Sequence, residues 1–213
     1  MPATLDDQAR ARLGVLFERG AEQASAALSK WLGQPATLRT SEVNEVDLTE
    51  ASELLGPGDS LVAAVSMELA GRVGGQLLLV FEDRSGLALA DLLLRQPPGT
   101  ATEWGELERS AANETANIVG CAYLNSLDAH LPRLEGREGG QAGGAMIPSP
   151  PTFRHEFAAS LLEFALMDQA MELDRLLLVK TRFVADDRRL DWSLLLVPDR
   201  RSLAWLASVL SAG

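Results

Sequence analysis

The chain has 213 residues, of which 30 are acidic and 19 basic, giving a formal net charge of −11. That balance excludes the Lys/Arg-rich surface needed for nucleic-acid phosphates or an anionic membrane, and no apolar run approaches the ~20 residues of a spanning helix. One cysteine excludes an internal disulfide and a cysteine metal cluster, and His130 and His155 lack the spacing of helical zinc ligands.

The opening Met1-Pro-Ala-Thr-Leu-Asp-Asp-Gln8 has neither the basic nor the apolar region of a signal peptide, so a cytosolic protein is expected. Asp6 or Asp7 caps a helix predicted to run to about Leu32 and to close at Gly33 and Pro35. Leu13, Leu16, Phe17, Gly20, Ala24, Ala27, Leu28 and Trp31 recur along it at helical intervals. Residues 37–48 read as an extended stretch with alternating faces, and 49–55 as a short helix stopped by Gly56-Pro57-Gly58. A strand over 61–69, a turn over 71–75, a buried strand over 76–81 and an amphipathic helix over 84–94 follow. Residues 95–102 are a linker by their Pro and Gly content.

A long helix is predicted from about Glu103 to His130, ended by Pro132. Residues 135–144 are a flexible insertion by composition. Residues 153–171 fit strand or helix equally. Strands over 176–183 and 191–197 flank a turn at 186–189, and a helix over 201–210 closes the chain.

Two segments repeat. Gly75-Gln-Leu-Leu-Leu-Val80-Phe-Glu-Asp83-Arg84 echoes Trp192-Ser-Leu-Leu-Leu-Val197-Pro-Asp199-Arg200, with an offset of 117 residues from Leu77 to Leu194. An apolar helix follows each copy, so the chain reads as an internal duplication.

In the long helix, a rotation of about 100° per residue places Ser110, Glu114, Asn117, Cys121, Asn125 and Asp128 within an arc of about 80°. Leu107, Ala111, Ile118, Ala122 and Leu127 are assigned to the packed side. A carboxylate and a carboxamide at i and i+3 are neighbours that could hold one water between them. From spacing alone, a solvated helix face is the plainer account. Cys121 reads as a small packing residue, since no His or basic group is placed to lower its pKa.

Ser110-x-x-x-Glu114-x-x-Asn117-Ile, followed by Ala122-Tyr-Leu-Asn-Ser-Leu127, resembles the second signature helix of the CheC/CheX/FliY phosphatases. Those proteins dephosphorylate CheY-like response regulators in chemotaxis. Ser110, Glu114 and Asn117 match in type and spacing. Pro148-Ser-Pro-Pro151 resembles the family's Pro-Ser-Pro-Pro segment, but position 140, where the family proline would stand, is Gly. The family proline is therefore placed at Pro151. Gly20-Ala-Glu-Gln-Ala-Ser-Ala-Ala-Leu28-Ser29 is similar to the first signature helix, at an offset of 99 residues from Leu28 to Leu127. That alignment puts Val15 and Glu18 where an active first half has Glu and Asn, so the first site reads as dead.

The resemblance implies an α+β fold: a pseudo-two-fold duplication with an antiparallel sheet packed with two long helices. It implies one domain over 1–213, with half-repeats of about 1–98 and 99–213. It also implies a phosphatase acting on the aspartyl phosphate of a CheY-like receiver domain. Asn117 would align the attacking water, Glu114 would pair with the receiver's lysine, and Ser110 and Pro151 would support them. The chain would need no cofactor of its own, the Mg²⁺ belonging to the receiver. Two alternatives stay open: a CheC-like module that binds a response regulator or a CheD-like protein without turnover, and a component of a motility or secretion apparatus. The oligomeric state is left undecided.

Overall fold

Local chemistry fixes the first helix at both ends. Asp6, in extended backbone, accepts the Ala9 N–H at 2.7 Å and caps α1 (Asp7–Leu32). Gly33 ends it at φ 72°, a left-handed conformation that glycine adopts without strain, and donates its N–H to the Ser29 carbonyl at 2.9 Å. The computed structural model describes residues 4–132, 144–165, 176–185 and 188–211. Of the apolar positions predicted along α1, Leu13, Leu16, Phe17, Gly20, Ala24 and Leu28 are buried, Ala27 faces solvent and Trp31 is half-buried.

After α1 come β1 (Ala36–Val46), α2 (Leu48–Leu55), β2 (Leu61–Ala70), β3 (Gly75–Glu82) and α3 (Asp83–Leu93). The second half follows with α4 (Glu106–His130), β4 (Ile147–Pro148), β5 (Thr152–Phe157), α5 (Ala158–Ala165), β6 (Leu176–Ala185), β7 (Arg188–Pro198) and α6 (Arg200–Ser211). The strands form one antiparallel sheet in the order β1-β6-β7-β3-β2, with β4 and β5 both on the outer edge of β2. This order is palindromic: each half lends its first strand to the far side of the other half. Leu78 faces Leu195 across the central β3–β7 pair. These two residues are themselves 117 apart, so the pseudo-two-fold passes through a matched pair. The predicted α+β duplication is the observed architecture.

Both faces of the sheet are covered, which is why its central strands read as unbroken Leu/Val runs. α1, α3, α4 and α6 pack over Val65, Met67, Leu77, Leu79, Val179 and Leu194. α2 and α5 cover Val62, Ala64, Leu78, Val80, Leu178 and Leu195. Residues 153–171 divide into β5 and α5, with 166–171 outside the described residues. The Gly-rich stretch at 135–143 and the turn positions 186–187 also lie outside them.

α1 and α4 meet where Gly20 abuts Tyr123. A Cβ at residue 20 would lie 2.5 Å from Tyr123 Cδ1 and 2.9 Å from its Cα, which cannot move without shifting the helix. At Gly120 the added carbon would lie 2.3 Å from Met67 Cε, the far end of a flexible side chain. Gly20→Ala is therefore expected to destabilise by about 1–3 kcal/mol through overpacking. Gly120→Ala is expected to stay within about 1 kcal/mol of wild type, because gained helix propensity offsets the displacement of Met67. Urea unfolding of both variants checks this, and equal midpoints would contradict it.

Candidate active site

α4 is pinned at both ends. Ahead of it, the segment read as a linker is organised by Asp91, a fully buried carboxylate of α3. Asp91 accepts the N–H groups of Gly99 at 2.6 Å, Ala101 at 2.7 Å and Thr100 at 3.2 Å. Trp104 then turns into the core, donates Nε1–H to Asp83 at 2.7 Å and packs on Phe153 with ring centroids 4.9 Å apart. Gly105, in extended backbone, caps the helix, so α4 begins at Glu106 and not at the predicted Glu103. Arg109 locks this corner, donating Nε–H to the Trp104 carbonyl at 2.8 Å and lying over the Phe153 ring. At the far end, the buried Arg72 donates to the carbonyls of Asp128 at 3.3 Å and Leu131 at 3.1 Å. These are carbonyls that a helix C-terminus leaves without partners. Asp128 in turn accepts the Met146 N–H at 2.8 Å.

Between these anchors the polar stripe faces outward. Ser110, Glu114 and Asn125 are exposed, and Asn117, Cys121 and Asp128 are half-buried. Ala111, Ala122 and Leu127 are buried as predicted, and Ile118 is half-buried. Leu107 is 62% exposed, contrary to its assignment to the packed side. One turn before Ser110, it falls at the edge of the stripe's own arc, so helical geometry puts it on the solvent side.

Glu114 makes no hydrogen bond or ion pair among the described residues. Asn117 Oδ1 receives a weak contact from Cys121 Sγ at 3.7 Å. No hydrogen bond joins Ser110 to Glu114 among the described residues. Ser110 instead helps line a shallow depression of about 480 Å³ with Trp104, Gly105, Glu106, Arg109 and Asn113. Asn113, Arg109 and Trp104 are additions that the spacing of the stripe did not single out. Asn113 Oδ1 is buried with no hydrogen-bond partner among the described residues.

Pro151 lies at a break in the edge strand, between β4 and β5. Pro150 and Pro151 have no N–H to give the ladder, so β4 and β5 are separate pieces on one edge. Ser149 bridges the gap, giving its N–H to the Glu68 carbonyl at 2.8 Å and accepting the Glu68 N–H on Oγ at 2.9 Å. Two residues beyond Pro151, Phe153 reaches Trp104.

The first half preserves the shape without the chemistry. A groove of about 630 Å³ runs along α1 between Arg10, Ala11, Gly14, Val15 and Glu18 and the edge strand β1. At the 99-residue offset these positions correspond to Arg109, Ser110, Asn113, Glu114 and Asn117. Val15 is exposed there, and Glu18 accepts the Thr40 hydroxyl at 3.1 Å.

Burial, and next the Glu114 carboxylate, push the Cys121 thiol above its ordinary pKa. It therefore stays protonated at neutral pH and reacts more slowly than a free thiol. Glu114→Gln removes the second cause, so alkylation of Cys121 at pH 8 should accelerate, by less than about tenfold. An unchanged rate would break the link between these two side chains.

No protein-family model matches the chain. A Halobacterium salinarum protein named "Putative CheY-P phosphatase CheC1" is 22% identical over 142 residues, covering 63% of this chain and 72% of that protein. The crystal structure of Thermotoga maritima FliY has a TM-score of 0.73 to this chain at 15% identity, covering 98% of each. The chain is thus similar in sequence to that CheC1 protein and in fold to that FliY. FliM from the Helicobacter pylori FliM–SpeE complex shares the fold at TM-score 0.68 and 13% identity, covering 98% of this chain and 97% of that one. No three His, Cys, Asp or Glu side chains among the described residues converge as metal ligands. No described helix is long and apolar enough to cross a membrane.

Proposed function

We propose that the chain hydrolyses the aspartyl phosphate of a CheY-like receiver domain, with the exposed stripe of α4 laid over the phosphorylation pocket. The observation that carries this reading is the Glu114–Asn117 pair, one turn apart, the first exposed and the second half-buried, mounted on a helix held at both ends. The similarity to a protein named as a CheY-P phosphatase supports it.

An aspartyl phosphate is a mixed anhydride and already activated, so catalysis rests on positioning and electrostatics. A carboxamide both donates and accepts hydrogen bonds, so Asn117 can hold a water in line with the phosphorus. Glu114, with no partner among the described residues, is available to pair with the receiver's active-site lysine and set the register of the two proteins. Neither role needs a general base from this chain. The Mg²⁺ that neutralises the phosphoryl group is expected in the receiver domain.

The direct test follows decay of a panel of phosphorylated CheY-like receivers with and without the chain. Acceleration of at least about tenfold on one of them is expected, equivalent to 1.4 kcal/mol of barrier. A second reading is a CheC-like module that holds a response regulator or a CheD-like protein without turnover. The α1 groove, which keeps its form but has lost Glu and Asn, favours it. Binding with no faster decay of any receiver would decide for that reading.

A further inference from the structure

On the face of the sheet opposite α4, β1, β6, β7 and β3 form the floor of an open cleft of about 540 Å³, walled by Leu55 of α2. Strand register brings three cations together in it. Arg39 stands directly opposite Arg182 across β1–β6, and Lys180 lies two residues along the same face of β6. In an antiparallel pair, like charges placed opposite one another are destabilising. A chain of net charge −11 has ample carboxylates to avoid this, yet among the described residues only Arg182 of the three is neutralised, by Asp191 at 3.0 Å. Asp191 is itself shared with Arg189 at 3.6 Å. Arg39 and Lys180 form no ion pair or side-chain hydrogen bond among the described residues. Ser193 of β7 stands directly opposite Lys180 and adds a hydroxyl, and on the β3 side of the cleft Glu82 offers a carboxylate acceptor.

From this juxtaposition we infer that the cleft binds a phosphate-bearing small molecule, with the oxyanion among Arg39, Lys180 and Arg182 and a hydroxyl- or amino-bearing body toward Glu82. Guanidinium groups hold phosphate through paired, charge-assisted hydrogen bonds. The volume lies within the usual ~300–1,000 Å³ range of small-molecule sites. The Glu82 carboxylate disfavours a purely anionic occupant and suits a phosphate ester of nucleotide or sugar type. Because the sheet separates this cleft from α4, the inference stands or falls apart from the phosphatase reading.

The test is calorimetric titration of the full chain at low salt with inorganic phosphate, pyrophosphate and ADP, with adenosine as the phosphate-free control. ADP should bind saturably and adenosine should not. Arg39→Gln and Lys180→Gln should each weaken ADP binding by about tenfold or more, whereas Arg19→Gln, outside the cleft, should leave it unchanged. Pyrophosphate equal to ADP would support the oxyanion site and assign nothing to the body; ADP tighter than pyrophosphate would support both. Without ligand, Arg39→Gln should melt no lower than wild type, since it removes a repulsion. Absence of saturable binding by all three anions, binding indifferent to both cleft variants, or a lower melting temperature of Arg39→Gln would each overturn the inference.

Discussion

Asn117→Ala is expected to abolish the accelerated decay of a phosphorylated receiver, a loss of at least about tenfold in rate, or roughly 1.4 kcal/mol of transition-state stabilisation. The fold should not register the change. Asn117 is half-buried, its side chain has no hydrogen bond among the described residues beyond the weak one from the Cys121 thiol at 3.7 Å, and α4 is held by Arg72 and Trp104 at its ends. Alanine is also a better helix former than asparagine by roughly half a kcal/mol, so the melting temperature should hold or rise slightly. Glu114→Ala separates the roles: losing the lysine partner should raise the receiver concentration needed for half-maximal rate, whereas Asn117→Ala should act on the maximal rate. Glu18→Ala, at the corresponding position of α1, should be silent. Phosphate release measured over a range of receiver concentrations checks all three. Undiminished turnover by Asn117→Ala would end the proposed mechanism.

Asp91→Ala should produce the largest loss of stability, about 3–5 kcal/mol, because three hydrogen bonds to a charged acceptor are lost together and such bonds contribute about 1.5–3 kcal/mol each. Three N–H groups, from Gly99, Thr100 and Ala101, would lose their acceptor at once. For a chain of this size, each kcal/mol moves the melting temperature by about 2–4 °C, so a fall on the order of 10 °C is expected. Asp91→Asn keeps one oxygen acceptor and should fall between alanine and wild type. Thermal unfolding followed by circular dichroism distinguishes these cases; an Asp91→Ala melt within about 2 °C of wild type would show that the 95–102 segment holds itself in place.

The contrast between Asp6 and Asp91 shows what a reader of the sequence can and cannot see. Asp6, Gly33 and Pro35 act within one turn of the helix they bound, so both ends of α1 were legible. Asp91 acts on backbone eight to ten residues later, and nothing in Pro97-Pro98-Gly99 announces that its amides are already claimed. Residues 153–157 were ambiguous because their apolar content suits either period; pairing with residues 61–65 of β2 decides for a strand. Leu107 was misassigned by residue type against its own helical angle. The stripe of Ser110, Glu114 and Asn117 was visible because all three lie on one helix. Arg39 and Arg182 are brought together only by the register of β1 on β6, which no local window contains.

The crossed edge strands also constrain how the chain matures during translation. β1 is synthesised early, but its hydrogen-bonding neighbour β6 lies some 140 residues downstream, Arg39 awaiting Arg182. Until β6 leaves the ribosome, the apolar faces of β2 and β3 have no completed sheet to join, and such late, long-range pairing folds slowly and exposes sticky edges. A nascent chain halted after its first half should therefore recruit holding chaperones where the finished one does not.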